Sequence, residues 1–307
     1  MEQEEKDLLN KRIRYIINIY YRKKMEFFNP FEEEGKWFKG NIHTHTRNSD
    51  GKFLPEEIVK IYKENSYDFL FITDHNKITD YKSPFNDFLT IKGIEFNKDG
   101  FHILGLDIEQ SFSTENLTVQ QIIKKTNETG GFAIICHPYW SAITSPDILS
   151  LSGFIGIEIF NNSCEIEKGK GYSTIQYDEV LQKGLQVFGF AVDDCHSERD
   201  IFGGFIMVKT KSLDKEEICN SIKNGLFYSS TGVIIKDLKI EDNTIKISFS
   251  PSITVDFIAY GSNGIRIYNE GIEFDYAEYK IKGIEKYIRI EITNKENKKG
   301  WTNPIFL

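Results

Sequence analysis

Hydrophobic and polar positions alternate along this chain in two distinct ways. Between residues 40 and 210, short apolar runs alternate with segments of helical periodicity. GNIHTHT, YDFLFITDH, LTIKGIEF, FHILGLDI, GFAIICHP, FIGIEIFNN, LQVFGFAVDDCH and FGGFIMVKT read as strands. LPEEIVKIYKENS, VQQIIKKTNETG, STIQYDEVLQKG and DKEEICNSIKNG read as helices, with Pro55 at a first helical position and Gly130 closing a last turn. Strands alternating with helices imply βα units and a mostly parallel sheet. So many strand candidates favour a closed or nearly closed (β/α) barrel over a small open sheet.

After about Thr231 the pattern changes to period two, with turn signals at DN, SNG and NKENKKG. This predicts a small antiparallel β domain, with a helical pattern only in FDYAEYKIKG. Ahead of the barrel, residues 5–24 mix apolar and charged positions at helical spacing. The expected organisation is therefore a helical extension over 1–37, an α/β barrel domain over 38–230 and a β-sandwich-like domain over 231–307.

Composition narrows the class of function. With 307 residues, 40% hydrophobic and 27% charged, the chain is an ordinary globular protein. Its formal charge of −8 gives no reason to expect extended nucleic-acid binding, which usually needs a basic face, and leaves a nucleotide open as a substrate. No apolar run is long enough to span a membrane. The start, MEQEEKDLL, lacks the apolar core of a secretory signal, and the four cysteines show no CxxC spacing, so reduced thiols and a cytoplasmic location are expected.

The six histidines carry the chemistry. Predicted strands run directly into His43 and His45, into His75, into His137 and into His196; His102 opens another strand, and Glu95 ends one. In a (β/α) barrel the C-terminal strand ends converge on one mouth, so these residues would meet although spread over the sequence. Side chains two apart on a strand share a face, which lets His43 and His45 reach one ion and Asp194 and His196 do the same. Singly, each histidine is as readily a capping or core residue. Together, and interleaved with Asp50, Glu95 and Asp194, they form a set of imidazoles and carboxylates suited to Zn, Mn or Fe. Nine candidate ligands exceed the needs of one ion, so two or three divalent ions sharing carboxylates are expected.

Beside these ligands, Arg47 and Arg199 are the better candidates for contact with a substrate phosphate, ahead of Lys52 and Lys77; each also reads as a solvated surface residue. Tyr139 and Trp140 could floor a pocket or simply pack on its rim. Cys195 is expected as a packing thiol and Asp193 as a structural acid. GSNG is a hairpin turn, since no Lys-Ser/Thr and no helix follow it.

The motifs HTHTRNSDG, ITDHN, GIEF with FHILGL, CHP and DDCH, in that order over residues 38–230, resemble the PHP (polymerase and histidinol phosphatase) family of metal-dependent phosphoesterases. The resemblance implies a distorted seven-stranded (β/α) barrel with a di- or trinuclear centre. It implies that His43, His45, Glu95 and Asp194 hold one ion, that Glu95, His102 and His137 hold a second, and that Asp50, His75 and His196 hold a third. It further implies hydrolysis of a small phosphomonoester or nucleotide-type ester by a hydroxide held between ions; Asp194 and His196 would then be nearest the chemistry, with Arg47 and Arg199 beside them by their position next to the ligand motifs. GLFYSSTG and the ending KKGWTNPIFL are similar to the carbaryl-hydrolase-like branch, which makes a carboxyl-ester or carbamate hydrolase the alternative. A non-catalytic scaffold is the third reading, and intact ligand positions speak against it.

Overall fold

The computed structural model describes residues 27–307, so the helix expected over 5–24 lies outside the described residues. Among the described residues, nine strands and six α-helices precede residue 231: β1 (Lys36–Asn41), α1 (Pro55–Glu64), β2 (Phe69–Ile72), β3 (Leu89–Lys98), β4 (Phe101–Leu106), α2 (Val119–Glu128), β5 (Phe132–Ile135), α3 (Ser145–Leu149), β6 (Phe154–Asn161), α4 (Asn162–Lys168), α5 (Thr174–Gln182), β7 (Phe188–Val192), β8 (Phe205–Thr210), α6 (Lys215–Lys223) and β9 (Phe227–Ser230). Eight strands follow: β10 (Ile235–Glu241), β11 (Thr244–Ser252), β12 (Thr254–Ala259), β13 (Gly264–Tyr268), β14 (Phe274–Lys280), β15 (Tyr287–Thr293), β16 (Lys299–Thr302) and β17 (Ile305–Phe306). No helix among the described residues is long and apolar enough to cross a membrane.

Local chemistry accounts for the helices that matter to the site. Pro55 starts α1, and Ile58, Val59 and Tyr62 make its buried face. Thr118 caps α2 by accepting from the Gln121 N–H at 3.3 Å, while Gln121 reaches back to the Thr118 N–H. The short helices α3 and α4 were not foreseen in the sequence; Asn161 caps α4 by accepting from the Cys164 N–H at 3.0 Å.

One mixed sheet runs in the order β13-β12-β15-β16-β9-β8-β1-β2-β3-β4-β5-β6-β7, with β17 on β15. The β1–β2, β2–β3, β5–β6 and β6–β7 pairs are parallel, as βα units require. β4, however, runs antiparallel to both neighbours. The cause is local: Asp99 and Gly100, with φ of 51° and 81°, make a two-residue hairpin from β3 to β4. β8 is likewise antiparallel to β1 and β9. No ladder joins β7 back to β1; the segments following them meet in a single parallel bridge, Thr44–Cys195, where His45 N–H donates to the Cys195 carbonyl at 2.9 Å.

Alternation along the strands sorts side chains into separate cores. Phe69 and Phe71 join Ile42, Leu104, Ile134, Phe190 and Val208, whereas Leu70 and Ile72 join Ile58, Val59 and Tyr62 of α1. Each fully buried Phe, Leu or Ile contributes about 1.5–3 kcal/mol. The C-terminal part is all β. A separate three-stranded sheet, β10-β11-β14, packs Leu238, Ile245, Ile247 and Ala277 against Val255, Phe257, Ile288 and Ile290 of the large sheet. FDYAEYKIKG, read as a possible helix, is strand β14, because its register against β11 alternates buried Ala277 and Tyr279 with exposed neighbours.

Candidate metal centre

β1 ends at Asn41, and the chain continues through fully buried His43 and His45. The Asn41 side-chain oxygen accepts from the His43 N–H at 3.1 Å. Buried Asp74, just past β2, organises the loop that follows: it accepts from Thr46 N–H and Oγ1, both at 2.7 Å, and from Ser49 Oγ at 2.6 Å. That loop delivers Asp50. His75 follows Asp74 directly, Glu95 lies on β3 and His102 on β4. His137 and Asp194 follow β5 and β7 in left-handed backbone conformations, with φ of 24° and 53°. Non-glycine residues held there are strained, and such strain clusters at functional sites.

All nine residues expected as ligands come together, in three groups. In the inner group, His43 Nε2 and His45 Nε2 lie 3.0 Å apart, each 3.1 Å from Asp194 Oδ1 and 3.2–3.3 Å from Glu95 Oε2. In the middle group, Glu95 Oε1 lies 2.7 Å from His102 Nδ1 and 3.3 Å from His137 Nε2. In the rim group, Asp50 Oδ2 lies 3.4 Å from His75 Nε2 and 3.5 Å from His196 Nε2. The rim also takes in His45, whose Nδ1 is 3.5 Å from Asp50 Oδ1, so His45 faces two groups rather than one.

The residues fit bound cations on two counts. Asp194 Oδ1 is buried and has no hydrogen-bond partner, although it is aimed between two imidazole nitrogens. An orphaned buried carboxylate oxygen is costly unless something positive meets it. The ring orientations are also those of ligands, since outer partners hold the far nitrogens: His137 Nδ1 contacts Ser141 Oγ at 3.0 Å, and His196 Nδ1 donates to the Asp194 carbonyl at 2.8 Å.

The electrostatics agree. Burial disfavours the imidazolium of His45, but the Asp194 and Glu95 carboxylates outweigh it and lift this group to about 9. Burial likewise opposes, and neighbouring carboxylates overcome, charging of His43 and His137, whose values rise. Burial works against ionisation of Glu95 and Asp194, yet the surrounding imidazoles hold both carboxyls well below the usual range. The buried carboxylates thus favour positive charge at the same positions that cations would take.

A cavity of about 620 Å³ opens over the middle and rim groups. Arg199 stands on its wall, with Nε 3.3 Å from Asp200 Oδ1, and Lys52 lies on the same wall. Arg47 does not line it; its Nε donates to the Lys52 carbonyl at 2.6 Å, and the side chain belongs to a neighbouring depression. Trp140 lines the cavity and packs edge to face on His137 and His102, with centroids 5.1 and 5.8 Å away. Cys195 is fully buried, its Sγ 3.7 Å from the Ser197 carbonyl. Asp193 accepts from Tyr62 Oη and from the N–H groups of Phe202, Gly203 and Gly204, and burial still raises its carboxyl to about 6.

Sequence reasoning missed Glu158. It is fully buried on β6 and contacts His43 Nδ1 at 2.7 Å. A lone acid inside the apolar run FIGIEIF was the available signal, because such residues are almost never buried without a partner. The helix α4, which brings Ser163, Cys164 and Glu167 to the cavity, was missed too.

No family model matches the chain. The uncharacterized protein MJ1587 of Methanocaldococcus jannaschii is 30% identical over 145 residues, which span 40% of this chain and 81% of that protein. A two-domain protein from Bacteroides vulgatus, described as containing a predicted PHP-like metal-dependent phosphoesterase, superposes with a TM-score of 0.53 at 16% identity, over 89% of this chain and 95% of its own. PsfC from Pseudomonas syringae aligns over 61% of this chain and 88% of its own, at 12% identity and a TM-score of 0.45. The chain thus belongs to one family with the Methanocaldococcus jannaschii protein, and it shares its fold with the two-domain Bacteroides vulgatus protein.

Proposed function

We propose that the protein is a metal-dependent phosphoesterase acting on a small phosphomonoester or a nucleotide-type ester. The observation that carries this reading is the convergence of three donor groups, joined through Glu95 and His45, at the base of one open cavity. The inner, middle and rim groups would hold two or three divalent ions. Bound there, such ions supply Lewis acidity to phosphoryl oxygens and make a water a better nucleophile near neutral pH.

The chain's own residues supply the rest. Buried His43, His45, Glu95 and Asp194 keep bulk water from the inner donors, and this strengthens every charge interaction made there. Arg199 and Lys52, the cations on the cavity wall, bind the non-bridging oxygens of the phosphate and neutralise charge that builds on them. Trp140 bounds the space open to the leaving group. Arg47 holds the Lys52 backbone, so its contribution is to the shape of the wall.

The test is hydrolysis of a panel of phosphomonoesters, carboxyl esters and carbamates with added Mn²⁺, Zn²⁺ or Fe²⁺. Inorganic phosphate release that requires metal supports the proposal. Cleavage of carboxyl esters or carbamates with no phosphate release under any metal would replace it with the ester-hydrolase reading. A well-folded protein that takes up no metal would leave a scaffold.

A further inference from the structure

Resting on the reading above that His43 and Asp194 are ligands, we infer that Glu158 and Asn161 are positioning residues that fix the donor atoms of the inner group. Both side chains are fully buried and neither lines the cavity. Glu158 Oε1 lies 2.7 Å from His43 Nδ1, so that nitrogen carries the proton and donates it. His43 Nε2 is thereby the nitrogen that faces His45, Glu95 and Asp194 and is the one placed to offer a lone pair to a cation. Glu158 Oε2 accepts from the backbone N–H of His137 at 2.8 Å. That bond holds the left-handed turn which sends the His137 ring to Glu95.

Asn161 completes the frame. Its side-chain oxygen accepts from the Cys164 N–H at 3.0 Å, which fixes the orientation of the amide. Its Nδ2 then donates to both Glu158 Oε2 and Asp194 Oδ2, each at 3.0 Å. One oxygen of Asp194 is thus occupied, and the other, Oδ1, is left unpartnered toward the imidazoles. A single buried acid–amide pair on β6 therefore aims donors that follow three other strands, β1, β5 and β7. Carboxylates behind ligating histidines fix the tautomer and raise ligand basicity, and their loss costs about 10–100-fold in metal affinity.

The experiment is Co²⁺ titration of chelator-stripped protein, followed by visible absorption and by metal content per folded molecule. Wild type, Glu158→Gln and Asn161→Ala are compared, with thermal unfolding of each metal-free protein alongside. Glu158→Gln is expected to weaken one ion by about 10–100-fold and alter its absorption band, leaving the metal-free unfolding midpoint near wild type. Asn161→Ala is expected to weaken the same ion by a smaller factor. Unchanged Co²⁺ affinity and spectrum in folded Glu158→Gln protein would overturn the inference while leaving the phosphoesterase reading intact. Loss of the folded metal-free state in both variants would also overturn it, since the pair would then serve only the core. Failure of wild type to take up any Co²⁺ would instead overturn the metal reading on which this rests.

Discussion

The inner and rim donor groups share His45 and lie side by side, yet they are built differently. In the inner group every side chain is buried, and His43 and Asp194 are each tied from behind by a second buried residue. In the rim group the Asp50 side chain is 53% exposed, and the His75 and His196 side chains are 22% and 29% exposed. Asp50 sits on a loop whose shape depends on Asp74 and Ser49 rather than on a strand. Donors held before a cation arrives lose little freedom when they bind it, whereas exposed donors must be ordered and stripped of water. The inner group should therefore bind tightly and exchange slowly, and the rim group should hold its ion loosely.

The largest effect tests what joins the groups. Glu95 Oε1 serves the middle group, while Oε2 serves the inner group and lies 3.0 Å from His75 Nδ1. Glu95→Gln is expected to lower kcat for phosphate release by about 10³-fold, or roughly 4 kcal/mol, and to reduce metal content at more than one site. Full metal content in that variant would break the idea of a shared bridge. A smaller effect separates inner from rim. Asp50→Asn is expected to weaken one ion by about 10–100-fold while the inner ion stays in place. Equal loss of every metal, measured by elemental analysis after dialysis, would erase the distinction.

Chelator removal sharpens the same contrast without mutation. Graded EDTA should remove metal in two phases, the rim ion first, with the unfolding temperature falling mainly in the second. A ligand at 100 times its dissociation constant stabilises the folded state by about 2.7 kcal/mol, so the tightly held ion should account for most of the shift. A single phase with one proportional change in unfolding temperature would show the ions to be equivalent. The smallest effect concerns the wall. Arg199→Ala is expected to raise KM for a phosphomonoester by about tenfold, roughly 1.4 kcal/mol, and Arg47→Ala to change it less than twofold. The reverse order would return the phosphate contact to Arg47.

Much of this was legible in the sequence because strand geometry is periodic. HTH after an apolar run places two imidazoles on one face, and apolar strands ending in DH, CHP and DDCH meet where parallel strands end. What escaped was what depends on packing between strands. Glu158 sits between Ile157 and Ile159, which face another core, so its role appears only once folding brings β6 to the segment that follows β1. The difference in exposure between Asp50 and Asp194 has no local signature either, since both are aspartates near a histidine. The antiparallel β4 was readable in hindsight, from Asp99-Gly100 between two alternating runs. The helical reading of FDYAEYKIKG failed because pairing with β11, not local periodicity, decides that segment.

The seat of β16 has a consequence for how the molecule is made. Gly300, Trp301 and Thr302 pair with Ser230, Ser229 and Tyr228 of β9, and Asn303 donates to the carbonyls of Gly225 and Phe227. Every segment carrying a candidate ligand has been synthesised once His196 is made, yet the edge of β9 stays open until residues 300–302 emerge. An unpaired strand edge beside an apolar core is a template for pairing with another chain. Nascent chains stalled between those points should therefore be the aggregation-prone species, even with every candidate donor of the proposed metal centre already synthesised.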